Sequence, residues 1–304
     1  MCNFLNLEFS LMKGNMFLGY ARGSVGDVVF SRSNGQQQGR ARNRRPNNPR
    51  TSSQMRQRSL FANAVKFHTK GVQRLFKFAF EDKRANESDY NAFMKHNMSR
   101  GVRISKQASQ SPVYPALGNW QMSCGSIESP RMSFDSTSGT WRLQVPGVTS
   151  NVTTWGGLSA ALKSVYGLQE GDIITTVHIV ANGATSSNVP SIEPDSGLAG
   201  SDWNIYQYIV DSSSTAELPS TIECDNGFVV IAASQTSIDT YCQGYCWIFS
   251  RRSPSGLKVS SSFLVNNSVA AACVEASSEP TFVEQVLQSW DTSEDVILEG
   301  SLLP

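Results

Sequence analysis

The 304-residue sequence predicts an α+β protein in which a β-hairpin arm and amphipathic helices precede a mainly antiparallel β domain. Three observations predict this class. An Asn-Gly pair separates two extended runs near the N-terminus, apolar residues recur at helical spacing after residue 51, and short β-type runs separated by turn residues fill the chain beyond Gly101. We expect a basic arm and helical module at 1–103, a linker at 104–118 and an acidic β domain at 119–304.

The arm is the most unusual part of the sequence. The segment from Arg22 to Arg58 contains nine arginines, no lysine and one acidic residue. The Asn34-Gly35 pair within it predicts a type I′ hairpin turn, since both central residues of that turn need positive φ. Alternation over residues 28–32 predicts a basic ribbon with one partly apolar face. Two prolines, at 46 and 49, favour an extended connection to the first helix.

Apolar residues at helical spacing predict an amphipathic helix that starts near residues 51–53 and is interrupted near Gly71. Asn63, Lys66 and Lys70 are expected away from its apolar face. A second, short helix follows, capped by Asn86 or Ser88. The expected apolar face of the first helix contains Leu60, Phe61, Ala64, Val65, His68, Val72, Leu75, Phe76 and Ala79.

Beyond Gly101, Ser, Thr, Gly and Pro become frequent and apolar residues form short runs. This spacing is typical of an antiparallel sandwich or barrel. Two short helices are also predicted, at 159–168 and 279–290. The runs expected to be strands are 131–135, 140–145, 172–181, 203–211, 227–234, 245–252 and 258–265.

The charge of the chain is divided between its two parts. Residues 1–106 carry 20 Lys and Arg against 6 Asp and Glu, a surplus of 14 positive charges, whereas residues 107–304 carry 6 against 19, a surplus of 13 negative charges. This asymmetry indicates that the basic part meets a polyanion or an acidic neighbour, and that the acidic part can pair with the basic part of another copy.

The arginine-rich arm has three interpretations. Guanidinium groups fork onto phosphate oxygens and stack on bases, which favours nucleic-acid binding. The same groups clamp carboxylates of a neighbouring subunit. The third interpretation is a solvated, mobile arm. The expected nucleic-acid or subunit contacts are Arg22, Arg32, Arg40, Arg42, Arg44, Arg45, Arg50, Arg56, Arg58, Lys66, Lys70, Arg74 and Lys77.

Cysteine and histidine give little support to a metal site or to catalysis. Cys242 and Cys246 form one CQGYC pair without the second pair that zinc motifs use, so we interpret them as buried or half-buried thiols on one face of a strand. His68 lies on the predicted apolar helix face, and His178 lies in a β-run without a nucleophile motif. The chain contains no P-loop, GxGxxG, GxSxG or HExxH sequence. We therefore predict a protein that is not an enzyme, with no catalytic residue, metal or cofactor.

Two further predictions concern the environment of the chain and its tryptophans. The first 20 residues lack the pattern of a secretory signal, and no run approaches 18 apolar residues, so we expect a soluble, reduced protein. All six tryptophans lie beyond residue 119. Exposed tryptophans would make a glycan platform, but their positions in predicted strands favour core packing.

Several segments together resemble a known family. These are GSVGDVVFSR, NPRTSSQMRQRSLFANAVKF, YNAFMKHN and YCWIFSRRSPSGLKVSSSFLV. In this order they resemble an uncharacterised protein family of Bacteroidota and their bacteriophages, closely over residues 19–98 and weakly over 170–265. The resemblance implies an arm-and-helix module followed by an immunoglobulin-like sandwich, in a phage-associated setting. It carries over no catalytic residue.

These observations predict a non-enzymatic structural or assembly protein of a bacteriophage virion, associated with the capsid, portal or tail and assembled in the cytoplasm of the bacterial host. Its arm would dock onto other copies of the chain, other virion proteins or packaged DNA, and no membrane partner is expected. One alternative is a soluble nucleic-acid-binding protein that uses Lys66, Lys70, Arg74 and Lys77 as a phosphate track. Another is a surface or carbohydrate-binding β-sandwich protein.

Overall fold

The structure, a computed structural model, describes residues 23–33, 36–44, 51–70, 75, 77–110, 118–181, 201–232, 242–254 and 256–291. The chain divides into two compact units, Met1–Arg50 and Thr51–Pro304. Most of the arm lies in the first unit. Among the described residues, all helices and the larger sheets lie in the second unit.

The arm is a small antiparallel sheet in the order β1-β2-β3. Its strands are β1 (Gly23–Val25), β2 (Val28–Ser33) and β3 (Gln36–Ala41). The pairing of β2 with β3 confirms the predicted hairpin, although Asn34 and Gly35 lie outside the described residues. Strand β1 adds a third strand to this hairpin.

Helix α1 (Ser52–Lys70) begins where it is predicted, and it buries Ala64 and His68 of the predicted face, but the buried face is wider and shifted from the predicted one. Thr51 Oγ1 accepts a hydrogen bond from the backbone N–H of Gln54 at 3.4 Å, as a capping residue does. Asn63 and Lys66, expected on the outer face, are buried, and Phe61, expected inside, is 45% exposed. Gly71, the predicted interruption, lies outside the described residues.

The next two helices are short. Helix α2 (Asp89–Asn97) is capped by Ser88, whose Oγ accepts from the N–H of Asn91 at 3.1 Å. This confirms one of the two predicted caps. Helix α3 (Lys106–Gln110) lies in the predicted linker and is joined to α1 by a hydrogen bond from Lys66 Nζ to the carbonyl of Ala108 at 3.0 Å.

The remaining helices lie among and after the strands. Helix α4 (Trp155–Tyr166) starts four residues before the predicted one, and α6 (Pro280–Asp291) confirms the predicted C-terminal helix. Helix α5 (Ser268–Ala276) is not predicted from the sequence. The strands of this unit are β4 (Gln121–Ser123), β5 (Met132–Asp135), β6 (Thr140–Gln144), β7 (Ile173–Ala181), β8 (Ser201–Ile209), β9 (Ile222–Asp225), β10 (Phe228–Ala232), β11 (Cys242–Ser253), β12 (Gly256–Val259), β13 (Ser262–Phe263) and β14 (Val265–Asn266).

These strands form open antiparallel sheets. One sheet has the order β5-β6-β10-β9, and the central sheet has the order β12-β11-β7-β8 with β14 also paired to β11. A short pair, β13-β4, completes the described pairing. The predicted run 258–265 is therefore three short strands rather than one, because successive parts of it pair with different neighbours.

The central sheet is covered on both faces because alternate residues of β11 face two different cores. Tyr245, Trp247 and Phe249 pack with α4 and the β5-β6-β10-β9 sheet. Cys246 and Ile248 pack instead with α1, α2 and the segment around β4. The unit is thus sandwich-like on one side of the central sheet and helix-covered on the other, which confirms the α+β class.

The packing of helices α1 and α2 against the strands explains why the boundary between the two compact units precedes α1. Phe67 of α1 stacks on Trp120 with ring centroids 4.5 Å apart, and both belong to the core that contains Ile248 of β11. Helices α1 and α2 therefore share a core with the strands, and the boundary lies at Arg50 instead of residue 103. Within the described part of the chain, no helix is both long and apolar enough to cross a membrane.

Candidate binding surface

The arm sheet has one apolar and one polar face. The register places Val28 opposite Ala41 and Phe30 opposite Gly39, and it places Val25 opposite Val28 on the other side. Residues opposite one another in an antiparallel pair share a face. These five residues therefore form one continuous apolar face, in agreement with the predicted partly apolar ribbon. Val25 and Val28 are 44% and 40% exposed, so the face is only partly covered.

Within residues 23–44, the described arginines are all exposed: Arg32, Arg40, Arg42 and Arg44. Arg32 lies on the same face as Phe30, two residues further along β2, whereas Arg40 lies opposite Val29 on the polar face. Exposed arginines therefore lie on both faces of the sheet. The expected contacts Arg22, Arg45 and Arg50 lie outside the described residues.

Asp27, the single acid of the arm, already has a partner. Its Oδ1 accepts from Arg44 Nη2 at 2.5 Å and from Nε at 2.9 Å, and its carbonyl accepts from the N–H of Arg42 at 2.6 Å. Both side chains of the ion pair are mostly exposed, so the pair contributes at most about 1 kcal/mol to stability. Its role is to tie the segment after β3 to the turn between β1 and β2.

The basic residues of α1 do not form one continuous phosphate track. Helix α3 packs over Lys66, which is only 6% exposed and donates a hydrogen bond from Nζ to the carbonyl of Ala108. Lys66 is therefore not accessible to an outside partner, contrary to the prediction. The side chain of Lys70 and all of Arg74 lie outside the described residues. Lys77 is exposed, with Nζ 5.3 Å from the centre of the Phe78 ring.

Arg56 and Arg58 lie on different parts of α1. Arg58 is half-buried, and its Nη1 is 3.9 Å from Met55 Sδ. Arg56 is exposed and lines a cavity of about 550 Å³ between the start of α1 and the start of α6. Arg103 and Glu284 also line this cavity, with Pro280, Val283 and Leu287 as its apolar part. Opposite charges in one cavity make it a mixed site rather than a simple anion pocket.

The cysteine pair behaves as predicted for thiols in a core. Cys242 and Cys246 are both buried, Cys246 in the core beneath α1 and Cys242 beside α5. Cys242 Sγ lies 3.6 Å from Cys273 Sγ. Burial raises the pKa of Cys246, and the contact with Cys273 together with burial raises the pKa of Cys242. Both groups are protonated thiols near neutral pH, which is the unreactive form.

The two histidines considered for catalysis are core residues. His68 is buried against the rings of Tyr90 and Phe93, and burial lowers its pKa although the charge of Asp89 acts in the opposite direction. Burial also lowers the pKa of His178, opposed by its hydrogen bond to Gln243 Oε1 at 3.0 Å. Both imidazoles are therefore neutral near pH 7.

The tryptophans pack inside the protein, as predicted. Trp120, Trp141, Trp155 and Trp247 are buried. Trp203 is partly buried against the helical core, and Trp290 donates Nε1–H to the carbonyl of Ile104 at 2.7 Å. An exposed tryptophan platform of the kind that binds sugars is absent from the described residues.

Comparison with known proteins gives a family and no functional relative. No curated protein and no solved structure matches the chain. The matching family is described only as a family of unknown function, and the match spans residues 20–213, from the arm through helices α1–α4 to the end of strand β8. Because that range covers more than half of the 304 residues, the chain belongs to the family of unknown function DUF6266.

Proposed function

We propose that the protein is a non-enzymatic assembly protein of a bacteriophage virion, and that its arm docks onto neighbouring subunits or packaged nucleic acid. The observation that carries this proposal is the arm sheet of residues 23–44. It combines an exposed apolar face with exposed arginines. The virion setting is supported by the sequence resemblance to a family of Bacteroidota and their bacteriophages.

The apolar face favours a protein partner as the main contact of the arm. Three short strands with one apolar face are near the lower size limit of an independently stable sheet, so covering that face with another surface would stabilise the arm sheet. Phosphate groups attract arginine, but they do not cover valine and phenylalanine. Protein interfaces combine an apolar centre with arginine, as Val25, Val28 and Phe30 do with Arg32.

The acidic region of another copy is a suitable partner. Residues 107–304 carry the surplus of 13 negative charges. Several of these carboxylates are exposed, and Glu223 and Asp225 lie on β9 at the edge of its sheet. Complementary charge on one chain type accelerates and orients association between copies. Self-association driven by the arm is therefore the simplest form of the proposal.

Replacement of arm arginines tests this proposal. We expect the double variant Arg40→Gln/Arg42→Gln to weaken self-association by about tenfold or more, equivalent to about 1.4 kcal/mol or more, because two exposed guanidinium contacts are lost. Sedimentation velocity over a concentration series measures the change. The matched control is Arg131→Gln/Arg252→Gln, which removes the same charge from exposed positions outside the arm.

Two outcomes would contradict the proposal. If the arm variant and the control variant self-associate equally, the arm does not mediate contacts between subunits. If the arm variants lose only DNA binding, and that binding falls steeply with salt between about 50 and 200 mM, the soluble nucleic-acid-binding alternative is correct. For the virion setting, the expected result is that mass spectrometry of purified phage particles detects the chain, and its absence from particles would contradict that part.

A further inference from the structure

Three side chains with metal-ligating atoms meet beside helix α2. They are Asp82, His96 and Cys124, and one carboxylate oxygen, one imidazole nitrogen and the thiol sulfur all lie within 4.8 Å of one another. His96 Nε2 is 2.9 Å from Asp82 Oδ2 and 3.0 Å from Oδ1. The sequence pattern does not indicate this cluster, because its members come from three separate segments.

The backbone holds the three segments in place. Cys124 accepts a hydrogen bond at its carbonyl from the N–H of Glu81 at 2.8 Å and donates its own N–H to Ala79 at 2.9 Å. These bonds fix the residue before Asp82 directly beside Cys124. His96 lies in the last turn of α2, and its ring stacks on Phe80 at an angle of 15° with centroids 5.1 Å apart. The imidazole orientation is therefore set by packing before any ligand binds.

We propose that Asp82, His96 and Cys124 form a binding site for a divalent zinc ion. A thiolate, an imidazole and a carboxylate are the three ligand types that zinc prefers in proteins, with bonds of about 2.0–2.3 Å. Those bond lengths place the ligand atoms of a tetrahedral site about 3.3–3.7 Å apart. The His96–Asp82 separation of 2.9–3.0 Å must therefore lengthen by a few tenths of an ångström, and the three ligand atoms, all within 4.8 Å of one another, need only small side-chain shifts to reach this geometry. Water fills the fourth position, since the Asp82 side chain is 38% exposed and opens the site to solvent.

Charge and proton balance are consistent with zinc. When zinc binds, the Cys124 thiol loses its proton to solvent, and the thiolate with the Asp82 carboxylate neutralises the two positive charges of the ion. His96 coordinates through Nε2 as the neutral imidazole. The neighbouring carboxylate of Glu81 accepts a hydrogen bond from the N–H of Val259 and is already engaged. The described donor set is therefore three ligands, not four.

Lys95 competes with the metal for Asp82. Its Nζ is 2.7 Å from Asp82 Oδ2. Partial burial acts to raise the pKa of Asp82, but the hydrogen bonds from Lys95 and His96 outweigh it and lower that pKa. Without metal, the Asp82 carboxylate is therefore shared between Lys95 and His96. Zinc must displace the ammonium group, which is easily done because the Lys95 side chain is 46% exposed.

Zinc titration of the full-length chain tests the proposal. A Cys2→Ser background removes a thiol that lies outside the described residues. Calorimetry with Zn²⁺ is expected to give one equivalent per chain, and Co²⁺ is expected to show thiolate-to-cobalt charge-transfer absorption. Replacing any one ligand should weaken zinc binding more than about 100-fold, in the variants Cys124→Ser, His96→Gln and Asp82→Asn. That loss exceeds the roughly 10- to 100-fold loss of affinity typical of changes to residues that only support the ligands. The control Cys224→Ser removes a cysteine from β9 and should leave zinc binding unchanged.

A second pair of variants keeps all three ligands. Lys95→Ala should tighten zinc binding several-fold, because the competing ammonium group is removed, whereas Lys83→Ala should not, because Lys83 pairs with Asp89 outside the cluster. Circular dichroism confirms that each variant is folded. Zinc affinity that is unchanged by the ligand variants, cobalt absorption that survives Cys124→Ser, or equal effects of the two lysine variants would each overturn the site.

Discussion

Asp172 has a buried side chain, 3% exposed, and it connects neighbouring chain segments through both its carboxylate and its backbone. Its carboxylate accepts from Arg251 Nη2 at 2.6 Å and Nε at 2.9 Å, and from the N–H of Gln169 at 2.7 Å. Its carbonyl accepts from the N–H of Val210 at 2.8 Å, and Arg251 also donates to the carbonyl of Gly167 at 2.9 Å. The pair therefore fixes the end of α4 and the start of β7 against β11.

Arg251→Ala tests how much this pair stabilises the fold. The substitution leaves a buried carboxylate without its cation, so we expect the free energy of unfolding to fall by about 3 kcal/mol or more. Arg252→Ala, at the exposed next position of β11, should change it by less than about 0.5 kcal/mol. Urea denaturation measures both values. Equal midpoints for the two variants would show that the buried pair contributes no more than a surface residue.

At the scale of single elements, α4 shows how a distant contact extends a helix. The sequence predicts a start at residue 159, since a Gly-Gly pair lowers helix propensity. The helix instead starts at Trp155 after the cap Thr154, whose Oγ1 accepts from Gly157 N at 3.3 Å. Gly156 is required there because its backbone donates to the carbonyl of Ser214 at 3.1 Å, with no room for a side chain.

The two glycines of α4 make a matched pair of variants. A Cβ atom on Gly156 would lie 2.3 Å from the carbonyl oxygen of Ser214, whereas one on Gly157 would meet only side-chain atoms, of Val152 at 3.1 Å and of Thr154 at 3.4 Å. Alanine improves helix propensity by about 1 kcal/mol at either position. We therefore expect Gly156→Ala to destabilise the protein by about 1–3 kcal/mol. Gly157→Ala should be neutral or stabilising in thermal denaturation, and the reverse order of the two variants would contradict the packing described.

Local patterns predicted most elements, and distant contacts decided the rest. The β2-β3 hairpin, the Ser88 cap of α2 and the helix α6 follow from nearby residues alone. The buried face of α1 does not. Asn63 Nδ2 donates to the carbonyl of Val102 at 2.8 Å, so its partner lies beyond α2, where no helical periodicity of α1 can indicate it.

The binding surface and the proposed zinc site also differ in how far the sequence alone indicates them. The arginines of the arm are neighbours in sequence, so composition alone indicates them. Its apolar face needs the strand register, and strand β1 contributes Val25 to it. Asp82, His96 and Cys124 meet only because α2 folds back and Cys124 pairs with the segment at Phe80. A single sequence contains no periodic signal for such a meeting.

At the scale of the whole molecule, the second compact unit is organised by its central sheet. One face of β7 and β11 packs on α4 and the opposing sheet, and the other face packs on α1 and α2. Strands buried on both faces read as nearly continuous apolar runs, as 245–249 does. The helices are therefore part of the core of this unit.

Two fragments test this organisation. Fragment 51–304 lacks only the first compact unit and should keep the cooperative thermal transition of the full chain. Fragment 119–304 lacks α1 and α2 and exposes Val177, Ile179 and Ile248. Each such side chain loses about 1.5–3 kcal/mol of burial, and the sum is comparable to the whole stability of a domain. We therefore expect 119–304 to lose its calorimetric transition and to bind a hydrophobic dye such as ANS. A sharp transition in 119–304, with native near-ultraviolet circular dichroism, would show that the strands fold without their helical cover.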